Sequence, residues 1–168
     1  MTLSKTEILR GDVTKLDADA IVNAANMTLL GGGSVDGAIH RAAGSELLAE
    51  CRTLGGCEPG QAKITRGYDL SARFVIHTVG PIWRGGKHND ARILANCYPN
   101  SLKLAVENEI RTIGFPAISC GAYGYPIEEA AHIAVKTTHE FLAMRDEIQK
   151  VLFVVWNEDV YDAYRRLL

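Results

Sequence analysis

The sequence predicts an α/β protein in which a mostly parallel sheet is covered on both faces by helices. Two observations predict this. Short apolar, strand-like runs alternate along the chain with longer segments of helical spacing, the pattern of strand–helix–strand units. In addition, two glycine-bearing loops each follow an apolar run and lead into a helix. Gly31-Gly32-Gly33-Ser34-Val35-Asp36-Gly37 follows Ala20-Ile21-Val22, and Ser119-Cys120-Gly121-Ala122-Tyr123-Gly124 follows Ile113-Gly114-Phe115. On such sheets ligands gather at the C-terminal strand ends, where both loops are expected to lie.

The elements follow in order. Residues 6–9 read as a strand ending at Arg10-Gly11-Asp12, and residues 17–23 carry a second strand. A helix is expected over 35–43, stopped by Gly44, and another through Leu54 with Ser45 as its N-cap. Gly55-Gly56 and Glu58-Pro59-Gly60 form loop. Residues 62–65 and 74–78 are strands, and Gly80-Pro81 and Gly85-Gly86 frame a loop containing Trp83. Over 90–109 the residues Ile93, Leu94, Cys97, Leu102, Leu104 and Val106 recur at helical spacing, with a kink or break expected at Pro99. A buried strand over 112–116, a helix over 127–144 opening after Pro126, an apolar strand over 151–156 and a helix over 158–168 complete the chain. No linker, repeat or low-complexity tract interrupts it, so one domain spanning 1–168 is expected.

Composition narrows the function. Hydrophobic residues make up 47% of the 168, an ordinary share for a globular protein, and no apolar run reaches membrane-spanning length. The formal charge of -2, without a long basic run, argues against duplex DNA or RNA as partner but allows one small anionic ligand held by main-chain N–H groups. Cys51, Cys57, Cys97 and Cys120 lack the close spacing of a zinc ribbon or a redox pair. With no signal-peptide core in Met1-Thr2-Leu3-Ser4-Lys5-Thr6-Glu7, reduced thiols in a cytoplasmic protein are expected. His40, His77, His88, His132 and His139 read as surface or satisfied core histidines, and neither a metal nor a cofactor is expected.

Several residues can carry chemistry. Asp12, after a strand and a glycine, is most simply a turn aspartate; it can also accept from an amino group such as that of adenine. Asn23 and Asn26 are turn formers or amides suited to a ribose diol, Asn26 being nearer the glycine loop. That loop lacks the Gly-Lys-Ser/Thr of a P-loop and the spacing of a dinucleotide fingerprint. Asp36 at the following helix start either complements the helix dipole or orients a water. In the second loop Ser119, Gly121 and Gly124 can offer N–H groups, Tyr123 can stack on a sugar, and Tyr125 reads as packing. Cys120 has no evident activating partner and reads as a small loop residue. Trp156 is either core or a stacking surface for a base.

These motifs together resemble macrodomains of the MacroD type. The resemblance runs through Gly11-Asp12-Val13-Thr14, Ile21-Val22-Asn23-Ala24-Ala25-Asn26 and Gly31 to Gly44. It continues through His77-Thr78-Val79-Gly80-Pro81 and Pro116 to Pro126, in order and over nearly the whole chain. It implies a three-layer α/β/α fold with a mixed, mostly parallel six-stranded sheet. It further implies an ADP-ribose ligand and hydrolysis of ester-linked ADP-ribose, on aspartate or glutamate side chains of mono-ADP-ribosylated proteins or in O-acetyl-ADP-ribose. A non-catalytic ADP-ribose reader is the alternative, and a monomer is the default. By position Asp12 and Val13 would bind adenine, Asn26 the distal ribose, and Asp36 would be catalytic. Asn23, Gly33, Ser34 and Val35 would also contact the substrate. Ser119, Cys120, Gly121, Ala122, Tyr123 and Gly124 would wrap the diphosphate, with Trp156 beside adenine.

Two residues depart from the family pattern. Ser34 stands where a fourth glycine is usual, so its Cβ would crowd the ribose or demand φ below zero, and Cys120 stands where Thr or Ser is usual. The cysteine–histidine pattern of zinc-containing macrodomains is not apparent. An ordinary carboxylate, with a pKa near ~4, is a weak base at neutral pH. The mechanism expected is therefore one in which Asp36 and a substrate phosphate oxygen jointly hold the water while Asn26 fixes the ribose.

Overall fold

The structure, a computed structural model, describes residues 4–168; residues 1–3, part of the segment read for signal-peptide character, lie outside the described residues. The elements in chain order are β1 (Thr6–Arg10), a 3-10 turn (Val13–Lys15), β2 (Ala20–Ala25), α1 (Ser34–Ala43), α2 (Ser45–Thr53), β3 (Ala62–Arg66) and β4 (Phe74–Val79). After these come α3 (Asp90–Glu107), β5 (Thr112–Phe115), α4 (Ile127–Met144), β6 (Lys150–Val155) and α5 (Glu158–Arg165). Six strands form one sheet in the order β1-β6-β5-β2-β4-β3, parallel throughout except that β3 pairs antiparallel with β4.

Strand alternation splits the core in two. Ala20, Val22 and Ile76 face α3, α4 and α5, where Tyr98, Phe115, Phe153 and Tyr164 form a chain of ring contacts with centroids 5.0–6.1 Å apart. Ile21, Ala25, Val75 and Val79 face the opposite way, toward Ile39, Leu47 and Cys51 of α1 and α2. Helices thus cover both faces in three layers, as implied above.

The chain leaves β2 toward α1 on one face and leaves its neighbour β5 toward α4 on the other. Their C-terminal ends therefore diverge and open a crevice between them, the switch point where such sheets bind ligands.

Two local expectations are corrected. Of the kink or break expected at Pro99, the break does not occur: α3 runs from Asp90 to Glu107 through it. The missing N–H and ring clash cost about 3 kcal/mol in an exposed helix, but burial of Tyr98, Ser101, Leu102 and Ala105 outweighs that. Ser45 is not an N-cap: Gly44, at φ 90°, closes α1 and opens α2, and Ser45 is the first helical residue. A Cβ on Gly44 would sit 2.9 Å from Asp69 Oδ2, which leaves glycine as the residue that fits.

Candidate functional site

The crevice is a cleft of about 370 Å³. Its walls are the end of β2 with the first glycine loop and start of α1, the β5–α4 loop, and the end of β6. Of the residues expected there, Asn26, Gly33, Ser34, Val35, Asp36, Ser119, Cys120, Gly121, Ala122, Tyr123 and Trp156 line it. Gly32 of the first glycine loop lines it too, and Gly80, Ala117, Ile118, Val154 and Val155 line it without having been expected. They are small or apolar residues at strand ends, and only the pairing of distant strands brings them to one place.

Asp36 sits in the first turn of α1, where its charge suits the helix dipole, yet it is only 5% exposed. Its Oδ1 accepts from Asn23 Nδ2 at 2.9 Å, and His40 Nε2, one helical turn on, lies 3.5 Å away. Burial raises its pKa above the ordinary 3.8, against the lowering effects of the Asn23 bond and of His40. The carboxylate is therefore a better base than the sequence alone allowed. Gly32 packs against this group so closely that a Cβ would fall 2.9 Å from Asp36 Oδ2 and 3.3 Å from Asn26 Nδ2.

Asn26 is locked by its surroundings. Its Oδ1 accepts from Thr28 N (3.2 Å), Thr28 Oγ1 (2.7 Å) and Leu29 N (3.2 Å), which fixes which end of the amide is oxygen. Nδ2 donates to Gly31 O at 2.9 Å, leaving its second N–H for a ligand oxygen. Asn23, expected on the ligand, is instead fully buried behind Asp36 and does not line the cleft. The side chains of successive strand residues alternate, so Asn23 points into the α1–α2 layer while the cleft opens beyond the strand end.

Ser34 adopts φ +55°, so of the two consequences expected of its Cβ, crowding of the ribose or a negative φ, the second is not realised. The left-handed turn lets the loop enter α1, at a cost of about 1 kcal/mol for a non-glycine residue. Among the described residues, no group accepts from the N–H of Gly32, Gly33, Gly121, Ala122 or Tyr123. Residues bearing free N–H groups thus line one cleft from opposite sides, and α1 adds its N-terminal dipole.

The second loop is tied at its base. Ser119 Oγ donates to Pro81 O at 2.8 Å, Trp83 N donates to Tyr123 O at 2.8 Å, and the Trp83 and Tyr125 rings lie 4.7 Å apart. Tyr125 is buried, as read from the sequence, whereas Gly124 turns at φ +71° outside the cleft wall. Burial pushes the Cys120 thiol up to about 11, so it is a thiol and not a thiolate at neutral pH.

Asp12 caps the 3-10 turn, its Oδ1 accepting from Thr14 N at 2.9 Å and Thr14 Oγ1 at 2.7 Å, so the turn role is realised. Gly11 N donates to Val155 O at 2.9 Å, which places this turn beside the β6 end of the cleft. Val13 is buried in the α1–α2 layer, and neither it nor Asp12 lines the cleft. Trp156 is 62% exposed on the rim, which excludes the core alternative.

His40 was read as an ordinary histidine; its i+4 spacing from Asp36 was the signal that placed it on the same helix face. Among the described residues, no group of three or more His, Cys, Asp or Glu side chains is arranged to hold a metal ion. Nor, among them, is any helix long and apolar enough to cross a membrane.

Comparison with known proteins agrees with this geometry. The Macro domain family model matches residues 22–134. The O-acetyl-ADP-ribose deacetylase of Klebsiella pneumoniae is 56% identical over 96% of this chain and 95% of its own length. A Xenopus laevis protein named ADP-ribose glycohydrolase MACROD2 is 60% identical over 98% of this chain, which spans only 40% of that protein. The Trypanosoma brucei macrodomain in complex with ADP-ribose matches with a TM-score of 0.91 at 45% identity, covering 97% of this chain and 68% of that one. In sequence and in fold alike, the chain belongs to the Macro domain family.

Proposed function

We propose that this protein is an ADP-ribosyl ester hydrolase. It binds the diphosphate of ADP-ribose between the two rows of free N–H groups and hydrolyses an ester on the distal ribose. The observation that carries the reading is Asp36: a buried carboxylate opening onto the cleft between those donors, its basicity raised by burial.

In the bound state the diphosphate takes the N–H groups of Gly32 and Gly33 on one side and of Gly121, Ala122 and Tyr123 on the other. The spare Asn26 N–H meets the distal ribose. Adenine lies toward the β6 end, against Trp156, with the Asp12 turn beside it. Asp36 and a phosphate oxygen hold a water, and Asp36 takes its proton as the hydroxyl attacks the ester. The ester bond breaks to give a carboxylic acid and ADP-ribose, and the proton passes to the departing ribose oxygen. Substrates of this chemistry are mono-ADP-ribosylated Asp or Glu side chains and O-acetyl-ADP-ribose. Every group invoked comes from one chain, which is consistent with a monomer of one domain, and four free cysteines suit a reducing, cytoplasmic compartment.

The test is hydrolysis of both substrate classes by wild type, Asp36→Ala and Asn26→Ala. Asp36→Ala is expected to lower kcat by roughly a hundredfold or more, the usual worth of a positioned base, while still binding ADP-ribose. Saturable binding with no turnover by wild type would make the protein a reader instead.

A further inference from the structure

Behind Asp36 lies a buried polar chain that the hydrolysis just described does not use. Asn23 on β2 and His77 on β4 are register partners on adjacent parallel strands, both fully buried and both facing α1 and α2. Asn23 Nδ2 is 2.9 Å from Asp36 Oδ1 and 3.1 Å from His77 Nδ1. His77 Nε2 is 2.9 Å from Thr65 Oγ1, and Thr65 Oγ1 donates to Arg66 O at 3.1 Å.

The donor directions follow from chemistry. An ionised Asp36 can only accept, so Asn23 presents its NH₂ to it. The second hydrogen of that NH₂ points at His77 Nδ1, which must therefore carry a lone pair. The ring proton is then on Nε2 and donates to Thr65, whose own hydrogen is committed to the Arg66 carbonyl. All four bonds run in a consistent sense. Asn23 Oδ1 is buried without a partner, so no third contact holds the amide. Only Asp36 and His77 decide which way it faces.

We propose that His77, backed by Thr65, is a positioning residue for the ester hydrolysis: its Nδ1 lone pair locks the Asn23 amide so that an N–H, and not the carbonyl, meets Asp36. This rests on the hydrolase reading for its consequence, but not for its geometry. Burial supports it by keeping the ring neutral, with a pKa lowered to about 3. A second ring proton would set N–H against N–H at Asn23. Without the lone pair the amide can turn its oxygen to Asp36, disfavouring the carboxylate and letting its side chain move. The other titratable groups near Asp36 are His40 on α1 and Cys51 on α2; Cys51 Sγ also lies 3.8 Å from His77 Nε2.

The experiment compares wild type, His77→Leu, His77→Asn and Thr65→Val. Leucine removes the acceptor, whereas the asparagine oxygen restores one at the Nδ1 position. The readouts are ADP-ribose affinity by calorimetry, kcat and KM on O-acetyl-ADP-ribose, and the carboxyl-carbon NMR titration of Asp36 in the unliganded protein. His77→Leu is expected to keep Kd within about threefold while kcat falls roughly tenfold or more and the Asp36 midpoint moves up, as for loss of a charge-assisted bond. His77→Asn recovers most of both. Thr65→Val moves both in the direction of His77→Leu but less far, and decides the matter together with His77→Asn if the leucine variant does not fold. Equal kcat and Asp36 midpoints in the folded variants and wild type would overturn the proposal, as would leucine and asparagine variants impaired alike. If wild type proves inactive, the hydrolase reading fails while the Asp36 titration still decides the role of His77.

Discussion

In the loop that follows β2, a methyl group added at Gly32 would lie 2.9 Å from Asp36 Oδ2 and 3.3 Å from Asn26 Nδ2. In the loop that follows β5, one added at Gly121 or Gly124 would meet no atom within 4 Å. The first loop is packed against buried chemistry: Asn26 braces it through Gly31, and Asp36 is held from below by Asn23. The second is fastened at its base through Ser119 and Tyr123, and Gly121, Ala122 and Gly124 stand exposed. Both offer free N–H groups, but only the first packs against Asp36, the carboxylate proposed to direct the water. The teaching is that the same residue type serves close approach in one loop and donor exposure in the other.

Substitution at Gly32 tests this contrast most severely. Gly32→Ala drives Asp36 and Asn26 apart, and kcat is expected to fall by roughly a hundredfold, since small displacements of positioned groups cost that much. Single-turnover hydrolysis measures it, and an active Gly32→Ala enzyme would break the contrast.

The acidity of the first loop gives the next effect. Burial raises the Asp36 pKa above 3.8, and the ionised form is the working one, so kcat should climb with pH through that raised midpoint and fall about tenfold per pH unit below it. The same shift bears on folding. Between 3.8 and the raised value the folded protein holds a proton that the unfolded chain has released, so Asp36 costs stability as pH rises through that window and at neutrality. Asp36→Asn should therefore raise Tm near pH 7 while abolishing turnover. A lowered Tm would contradict the assignment.

At the base of the second loop, a Cβ on Gly80 would overlap the Ser119 hydroxyl and come within 2.6 Å of Ile118 Cγ2. Gly80→Ala should weaken ADP-ribose binding about tenfold by calorimetry, the worth of one or two misplaced donors, with kcat at saturation less affected than in Gly32→Ala. Ser34→Gly relieves a φ of +55° and should stabilise the fold by up to about 1 kcal/mol in urea titration, offset in part by added unfolded-state freedom. At the small end, Gly121→Ala and Cys120→Ser should each leave turnover within about twofold, because the first meets open space and the second replaces an un-ionised thiol by a hydroxyl. A large loss at either position would mean that the second loop also governs the chemistry.

Much of this was legible in the sequence. Strand–helix alternation located every strand and α-helix to within a few residues, though not the 3-10 turn at Val13–Lys15, and the first glycine loop brought Asn26 and Asp36 to the cleft. The family resemblance implied a mixed six-stranded sheet, but the strand order and the antiparallel pairing of β3 came only from the structure, since local patterns do not encode which strands meet. Asn23 was read as a ligand contact because strand pairing was invisible. The structure instead gives it a bond to Asp36 and a partner across the sheet in His77, 54 residues away in sequence. No break occurs at Pro99 because intrinsic helix preference knows nothing of the burial around Tyr98 and Leu102. Ser34 misled because loop closure enforces a backbone angle that its side chain disfavours.

The account separates holding from reacting: main-chain donors hold the diphosphate and Asp36 directs the water. Its most direct measurement is a paired one on Asp36→Ala, ADP-ribose affinity by calorimetry beside the single-turnover rate on bound O-acetyl-ADP-ribose. The account predicts affinity within about threefold of wild type and a rate lower by roughly a hundredfold or more. A folded variant that turns over at the wild-type rate would contradict it.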